Sequence, residues 1–297
     1  MTHSELNSQY QLIDSGRGQK LEKVGKYLLV RPSAQAVWTQ KLPPSEWKNA
    51  DAVFVRKAGG DGTWKINNPA LPKSWNIQIG SVTFIIKLTD FGHIGIFPEQ
   101  HVMWKELAKI VCKERAETKG QGDFSVINLF AYTGGATLFL AEAGASVVHV
   151  DASRTSVQWA RDNAKASGFE HLRVRWMIDD AFKFVTKEAR RGKKYHGIVL
   201  DPPSYGRGPK GEVWKIDERM SELLFELKKI FHPKFSFLFL TAHSTGFSPL
   251  VLKNLLLETC DGLPGKVIAS EMTLSSTTSK SDLPSGSMSL FRRDDSE

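Results

Sequence analysis

The 297-residue chain predicts an α/β protein with a doubly wound parallel sheet, preceded by a small β-rich domain. Three observations lead there. From Ser125 onward, short apolar runs alternate with segments of helical periodicity, as in repeated βα units whose sheet is covered on both faces. Before Phe97 the texture is different, with short Val-, Ile- and Trp-rich runs separated by turn residues. A hydrophobic content of 41% supplies a core for one large domain plus a small one.

Between Lys20 and Asp90, "KYLLVRP", "AVFVRK" and "VTFIIKL" read as strands, divided by "PPSEW", "AGGDG" and "NNPALP". The β-rich accessory domain is expected over 1–94, and its role does not follow from this pattern. At Phe97 the stretch "FPEQHVMWKELAKIVCKERAE" puts Met103, Leu107, Ile110 and Val111 on one helical face and opens the larger domain, 95–297. Strand and helix then alternate: "FSVINLF" and Gly135 to Ala143; "SVVHVD" and Ser153 to Ser167; "LRVRWMI" and Ala181 to Arg190; "HGIVLD" and Asp217 to Phe231. In the last of these helices Met220, Leu223, Leu224, Leu227, Ile230 and Phe231 follow the 3.6-residue period and belong to the core. "FSFLFLTA" follows, then a helix with Ser248 as N-cap and Pro249 as first residue. "GKVIASEMTL" and "SMSLFRR" close the chain as a hairpin around a polar, mobile loop, "TTSKSDLPSGS".

The N-terminus lacks the basic flank and apolar centre of a secretory signal, and no run approaches the roughly 18 apolar residues of a membrane span. A cytoplasmic protein without membrane attachment is expected. Two cysteines, Cys112 and Cys260, fall in different helices, so neither a disulfide framework nor a metal site is expected. Lys and Arg outnumber Asp and Glu by 40 to 32, a formal charge of +8 that favours a polyanionic partner once a site is found to use it.

The most informative stretch is "NLFAYTGGATLFLAEAGASVVHVD", Asn128 to Asp151. In a doubly wound sheet, ligands sit outside the carboxyl ends of the strands, and the first βα turn approaches them most closely. Gly134 and Gly135 let the backbone pass near a ligand there. Asp151 ends the next strand, where a carboxylate accepts from both hydroxyls of a ribose. A dinucleotide site would call for G-x-G-x-x-G, and that spacing is missing. S-adenosylmethionine has the ribose without the phosphates and suits the stretch better. "MIDDAF" ends the third strand with Asp179 and Asp180, placed to accept from an adenine amino group or to cap the helix that follows. "DPPSY" ends the fourth, a rigid turn because each proline ring fixes φ and removes an N–H donor.

"NLFAYTGG", "VDAS", "DDAF" and "DPPSY" in this order, with "GIFPEQ" before them, resemble class I S-adenosylmethionine-dependent methyltransferases, particularly the bacterial group that includes large-subunit ribosomal RNA methyltransferases with a DPP-x-aromatic motif. The resemblance runs from about Gly95 to the C-terminus and is specific for the cofactor, much less so for the substrate. It implies a Rossmann-like, seven-stranded methyltransferase sheet. It further implies that Tyr132, Thr133 and Gly134 line the methionine part of the cofactor and that Asp151 holds the ribose. Asp180 and Ala181 would border adenine, and Gln100 would close the methionine end. Asp201 would lie beside the transferring methyl group, with Tyr205 near the acceptor.

Carbon 5 of a pyrimidine becomes nucleophilic only after a cysteine thiolate adds to the ring. Some members of the resembling group carry that cysteine just after the fifth strand; here the stretch is "LTAHSTG", with His243 and Ser244. Direct transfer to a base of ribosomal RNA is therefore the expected reaction, with His243 outside the catalytic set. Lys187, Arg190, Arg191, Lys193 and Lys194 cluster at a helix end, where cations complement the macrodipole. Arg207 and Lys210 follow the DPPSY turn in a glycine-rich loop that could close over a phosphate backbone. A protein or small-molecule methyltransferase of the same fold and a non-catalytic RNA-binding assembly factor stay open as alternatives, as does the oligomeric state.

Overall fold

The computed structural model describes residues 9–57, 61–117, 122–279 and 281–294. The N-terminal stretch read for a signal, most of the AGGDG turn and Lys280 of the closing loop lie outside the described residues. The chain divides into two compact units. The first runs to Glu99 and takes in Thr273–Ser285, and the second comprises Gln100–Met272 and the chain from Gly286.

The first unit holds a five-stranded sheet in the order β1 (Tyr10–Gly16), β2 (Gln19–Val24), β3 (Tyr27–Pro32), β4 (Ala52–Arg56), β5 (Gly62–Ile66). The short helix α1 (Pro44–Lys48) lies between β3 and β4, and β6 (Ser74–Ile79) with β7 (Val82–Lys87) forms a separate hairpin. Strand structure thus begins at Tyr10, ahead of the Lys20 expected from the sequence, because Tyr10 and Leu12 are buried on one face of β1. Inside this unit Glu22 is fully buried, receiving hydrogen bonds from Tyr10 at 2.7 Å and from both Nε and Nη2 of Arg31. Burial alone would push the Glu22 carboxyl up, but Arg31 and Lys20 beside it take it down to about 2.

The second unit starts with α2 (His101–Glu117), whose inner face is Trp104, Leu107, Ile110 and Val111. Its elements then follow as β8 (Ser125–Leu129), α3 (Gly135–Glu142), β9 (Ser146–Asp151), α4 (Arg154–Ala166), β10 (Val174–Ile178), α5 (Ala181–Arg190) and β11 (Gly197–Leu200). A small hairpin, β12 (Tyr205–Arg207) and β13 (Val213–Lys215), precedes α6 (Ile216–Lys228), β14 (Phe237–Ala242) and α7 (Pro249–Thr259). The last strands are β15 (Gly265–Ser275) and β16 (Asp282–Arg293).

The main sheet has seven strands in the order β10-β9-β8-β11-β14-β16-β15, as the Rossmann-like expectation required. Strands β10, β9, β8, β11 and β14 pair in parallel in that order, and β16 runs antiparallel to β14. From β8 the chain steps outward to β9 and β10, then returns to β11 on the other side. The crevice between β8 and β11 is therefore the topological switch point, where such sheets bind ligands. All residues of β11 and β14 are buried, which fits central strands covered on both faces. Caps set where the helices begin: Ser153, Asp180 and Ser248 each accept from a backbone N–H in the first turn of α4, α5 and α7.

The closing loop is shorter than the sequence suggested, since β16 begins at Asp282 and runs through Pro284 and Gly286. Its polar residues find backbone partners within the first unit. Thr277 N donates to Leu12 O at 2.9 Å, and the hydroxyls of Ser276 and Thr278 donate to Ile13 O at 2.9 and 2.6 Å. The segment read as mobile is thus tied to β1.

Candidate active site

The turn leaving β8 is unusual in its backbone. Phe130 and Tyr132 have φ of 55° and 48°, a left-handed conformation that non-glycine residues seldom adopt, and Gly134 follows at 86°. Strand β9 and helix α4 hold this turn in place. Tyr132 N donates to Asp151 Oδ2 at 2.8 Å, Ala131 N donates to Val150 O at 3.1 Å, and Asn163 Nδ2 donates to Thr133 O at 2.9 Å. The two glycines serve different ends. Gly134 supplies the left-handed residue before α3, whereas a Cβ on Gly135 would lie 2.4 Å from Trp104 of α2. Gly135 therefore makes room for a tryptophan, and the reading that both glycines serve a ligand is corrected at that position.

Asp151 closes β9. Its Oδ1 accepts from Ser153 N at 2.8 Å while Oδ2 takes Tyr132 N. Burial raises its carboxyl above the usual range, and these two N–H donors partly offset the rise. At the end of β10, Asp180 is the N-cap of α5, with Oδ1 accepting from Lys183 N at 2.9 Å, and Ala181 is buried as the first helical residue. Asp179 pairs with Lys187 at 2.7 Å.

Asp201, directly after β11, is gripped from two sides. Gln100 Nε2 donates to its Oδ2 at 2.7 Å and Thr241 Oγ1 to its Oδ1 at 2.6 Å. Gln100 is itself buried and receives Trp104 Nε1 at 3.3 Å. The same tryptophan that fills the space at Gly135 thereby fixes the glutamine that holds Asp201. Of the carbonyls in the DPP turn, that of Pro203 is already taken, accepting from Trp214 Nε1 at 2.8 Å.

Tyr205 is exposed, at 52% of its free surface, in β12. The glycine-rich loop expected here is instead the β12–β13 hairpin, pairing Tyr205 with Lys215 and Arg207 with Val213. Glu212 stiffens its tip, accepting from Lys210 N at 2.8 Å and pairing with Lys183 at 2.5 Å. Arg207 and Lys210 thus ride on an ordered ribbon.

Gln100, Tyr132, Thr133, Gly134, Asp151, Asp180, Ala181 and Asp201 accordingly gather at or beside the carboxyl ends of β8 to β11, with Tyr205 on the hairpin that follows. A buried polar chain behind the turn escaped the sequence reading. Asn128 Nδ2 donates to Thr137 Oγ1 at 2.9 Å, and that hydroxyl meets His149 Nδ1 at 2.9 Å. All three side chains are buried, and desolvation takes the His149 imidazole down to about 3. Their spacing along two strands and a helix mixes periods, so no single pattern reveals them.

Residues 61–241 match the family model described as S-adenosylmethionine-dependent methyltransferase. A crystal structure of the SAM-dependent methyltransferase from Agrobacterium tumefaciens is 38% identical, with a TM-score of 0.89 over 96% of this chain and 91% of that one. Among curated proteins, ribosomal RNA large subunit methyltransferase I of Aeromonas salmonicida is 38% identical over 58% of this chain and 41% of its own length. Ribosomal RNA large subunit methyltransferase K/L of Shewanella frigidimarina is 28% identical over 52% of this chain and 20% of its own. The chain thus spans less than half the length of the curated relatives it matches. With a matching model over more than half of its residues and a structural relative alike over nearly the whole of both chains, the protein belongs to the S-adenosylmethionine-dependent methyltransferase family.

Proposed function

We propose that this protein methylates a base of ribosomal RNA by direct transfer from S-adenosylmethionine. The observation that carries the reading is Asp201, held at the switch point of the sheet by Gln100 and Thr241 so that its carboxylate is fixed before a substrate arrives. The site suits the cofactor. Each oxygen of Asp151 accepts one backbone N–H and keeps lone-pair capacity for a ribose hydroxyl. The Phe130–Gly134 turn offers backbone, not a phosphate cradle, which fits the methionine portion lying against Tyr132, Thr133 and Gly134. Asp180 Oδ2 and the backbone at Ala181 are assigned to adenine, and Gln100 to the methionine end beside Asp201. When bound, the cofactor supplies a methyl group already activated on a sulfonium, so the protein's task is orientation.

Two features support RNA as the substrate. The chain carries +8, with Arg207 and Lys210 on the ordered ribbon after the DPPSY turn, and its curated relatives are named for ribosomal RNA. Tyr205, exposed on that ribbon, is assigned to stack on the target base, a contact worth roughly 1–3 kcal/mol. Neither cysteine supports thiolate chemistry at the site. Cys112 is on α2, and Cys260 is buried at the end of α7, where burial pushes its thiol up to about 12. Nitrogen is therefore the favoured acceptor atom, and the cytoplasm, where ribosomal RNA is found, is the assigned compartment. The second domain, 95–297, is assigned the chemistry, and 1–94 an accessory role.

Labelled S-adenosylmethionine offered together with undermethylated ribosomal RNA, a protein pool and a metabolite pool tests the assignment. Label should enter RNA and fall steeply with added salt, because phosphate contacts are salt-dependent. Label in protein or metabolites, insensitive to salt, would remove the RNA reading.

A further inference from the structure

At the ends of β11 and β14 stands a histidine that sequence reasoning leaves outside the catalytic set. Nε2 of His243 lies 3.6 Å from Oδ1 of Asp201, and the His243 side chain is 33% exposed, enough for water to reach it. The last two strands make room for the ring. A Cβ on Gly286 of β16 would lie 2.7 Å from His243 Nδ1 and 2.9 Å from Met272 Cε of β15, so only a residue without a side chain admits the imidazole here. Met272 and Gly286 bring no charge, and Asp201 brings one. Ser204 and Ser244 bond at 2.7 Å and tie the segment after β11 to the segment after β14. A fixed carboxylate and an imidazole nitrogen thus converge from neighbouring strand ends.

We propose that His243 is the proton acceptor of the methyl-transfer site and that the methylated group is an exocyclic amino group of a base, its two N–H bonds directed to Asp201 and His243. The inference rests on the methyltransferase reading above. An amino nitrogen that uses its lone pair to gain a methyl group carries one proton too many. The N–H bond facing the imidazole breaks, its electron pair stays on nitrogen, and the proton moves to Nε2 of His243. The imidazolium so formed pairs with Asp201 across the 3.6 Å approach and hands the proton to water on its exposed side. Imidazole suits this role because a neutral ring nitrogen offers a lone pair to a proton at hydrogen-bonding reach. A ring nitrogen that bears no hydrogen would have no use for the pair.

Two readouts test the proposal on the full chain. The first needs neither cofactor nor RNA: in spectra of 15N-histidine-labelled protein, Asp201→Asn should move the Nε2 resonance of His243 and leave that of His149 in place. An unmoved His243 resonance overturns the pairing. The second is single-turnover methylation of undermethylated ribosomal RNA. His243→Gln should slow it by roughly 100- to 10,000-fold and still bind S-adenosylhomocysteine with affinity within about twofold of wild type. His243→Ala should recover in part with added imidazole. A His243→Gln rate within about threefold of wild type overturns the proton-accepting role. If wild-type protein binds S-adenosylhomocysteine but methylates no RNA, the substrate reading and the exocyclic amine fall together, while the 15N result still decides whether His243 and Asp201 act as a pair.

Discussion

Asp151 holds the β8 turn with one oxygen and the start of α4 with the other, and the same carboxylate is assigned to the ribose. Asp151→Ala should therefore weaken S-adenosylmethionine binding by roughly 10- to 100-fold, two hydrogen bonds' worth, in calorimetric titration of the folded variant. Affinity equal to wild type would remove the ribose assignment. His149 makes a different prediction. Burial takes its imidazole down to about 3, so the folded chain binds fewer protons there than the unfolded chain does at the same pH. Acid then favours unfolding: stability is full above about pH 6.5 and declines as pH falls toward 3, by roughly 1.4 kcal/mol per pH unit from this residue. Urea titrations from pH 7 to pH 4 should show that decline, and His149→Gln should flatten it. At this scale the sequence was legible in position, as with Asp151 at the end of β9, and not in the Tyr132 and Ser153 N–H groups that this carboxylate also holds. It was not legible for His149 or His243, whose partners come from other elements: Thr137 on α3, Asp201 after β11, Gly286 in β16.

Helices α2 and α3 meet through Trp104, which occupies the space a side chain at Gly135 would need and also donates to Gln100. Gly135→Ala should destabilise the protein by roughly 1–3 kcal/mol, the usual penalty for overpacking. Because Trp104 steadies the glutamine that grips Asp201, kcat should fall as well. A variant with wild-type stability and activity would show that the tryptophan does not hold the site. The β12–β13 hairpin carries the matching electrostatic prediction. Neutralising Arg207 and Lys210 with glutamine should weaken RNA binding across sequences and reduce the slope of log affinity against log salt by about 1 for each phosphate that is no longer neutralised. An unchanged slope would place the RNA elsewhere. The helices were readable because apolar period and caps agree, as at Ser248–Pro249 and at Asp180. The hairpin and the long last strand were not. Glycine and serine content suggested loops, whereas pairing with Val213–Lys215 orders the hairpin and pairing with β14 orders the last strand. Composition records local preference and cannot register a partner supplied from elsewhere in the chain.

For the molecule as a whole, the strand order places the β8 turn, Asp151, Asp180 and Asp201 along one edge of the sheet, where such sheets bind ligands. That much was inferable from the alternation of apolar runs and helical patterns. The division of the chain was less so, since Thr273–Ser285 belongs with the first unit although it lies near the end of the sequence. Among the described residues no helix is long and apolar enough to cross a membrane. The charge of +8 then directs attention to a polyanion, and the site to a nitrogen acceptor. The most direct measurement is nucleoside analysis of undermethylated ribosomal RNA after incubation with the protein and isotopically labelled S-adenosylmethionine. Label should appear in a base methylated on an exocyclic nitrogen and be lost with Asp201→Ala; label in a carbon-5-methylated pyrimidine, or none in RNA while another acceptor is labelled, would overturn direct transfer to a base nitrogen of ribosomal RNA.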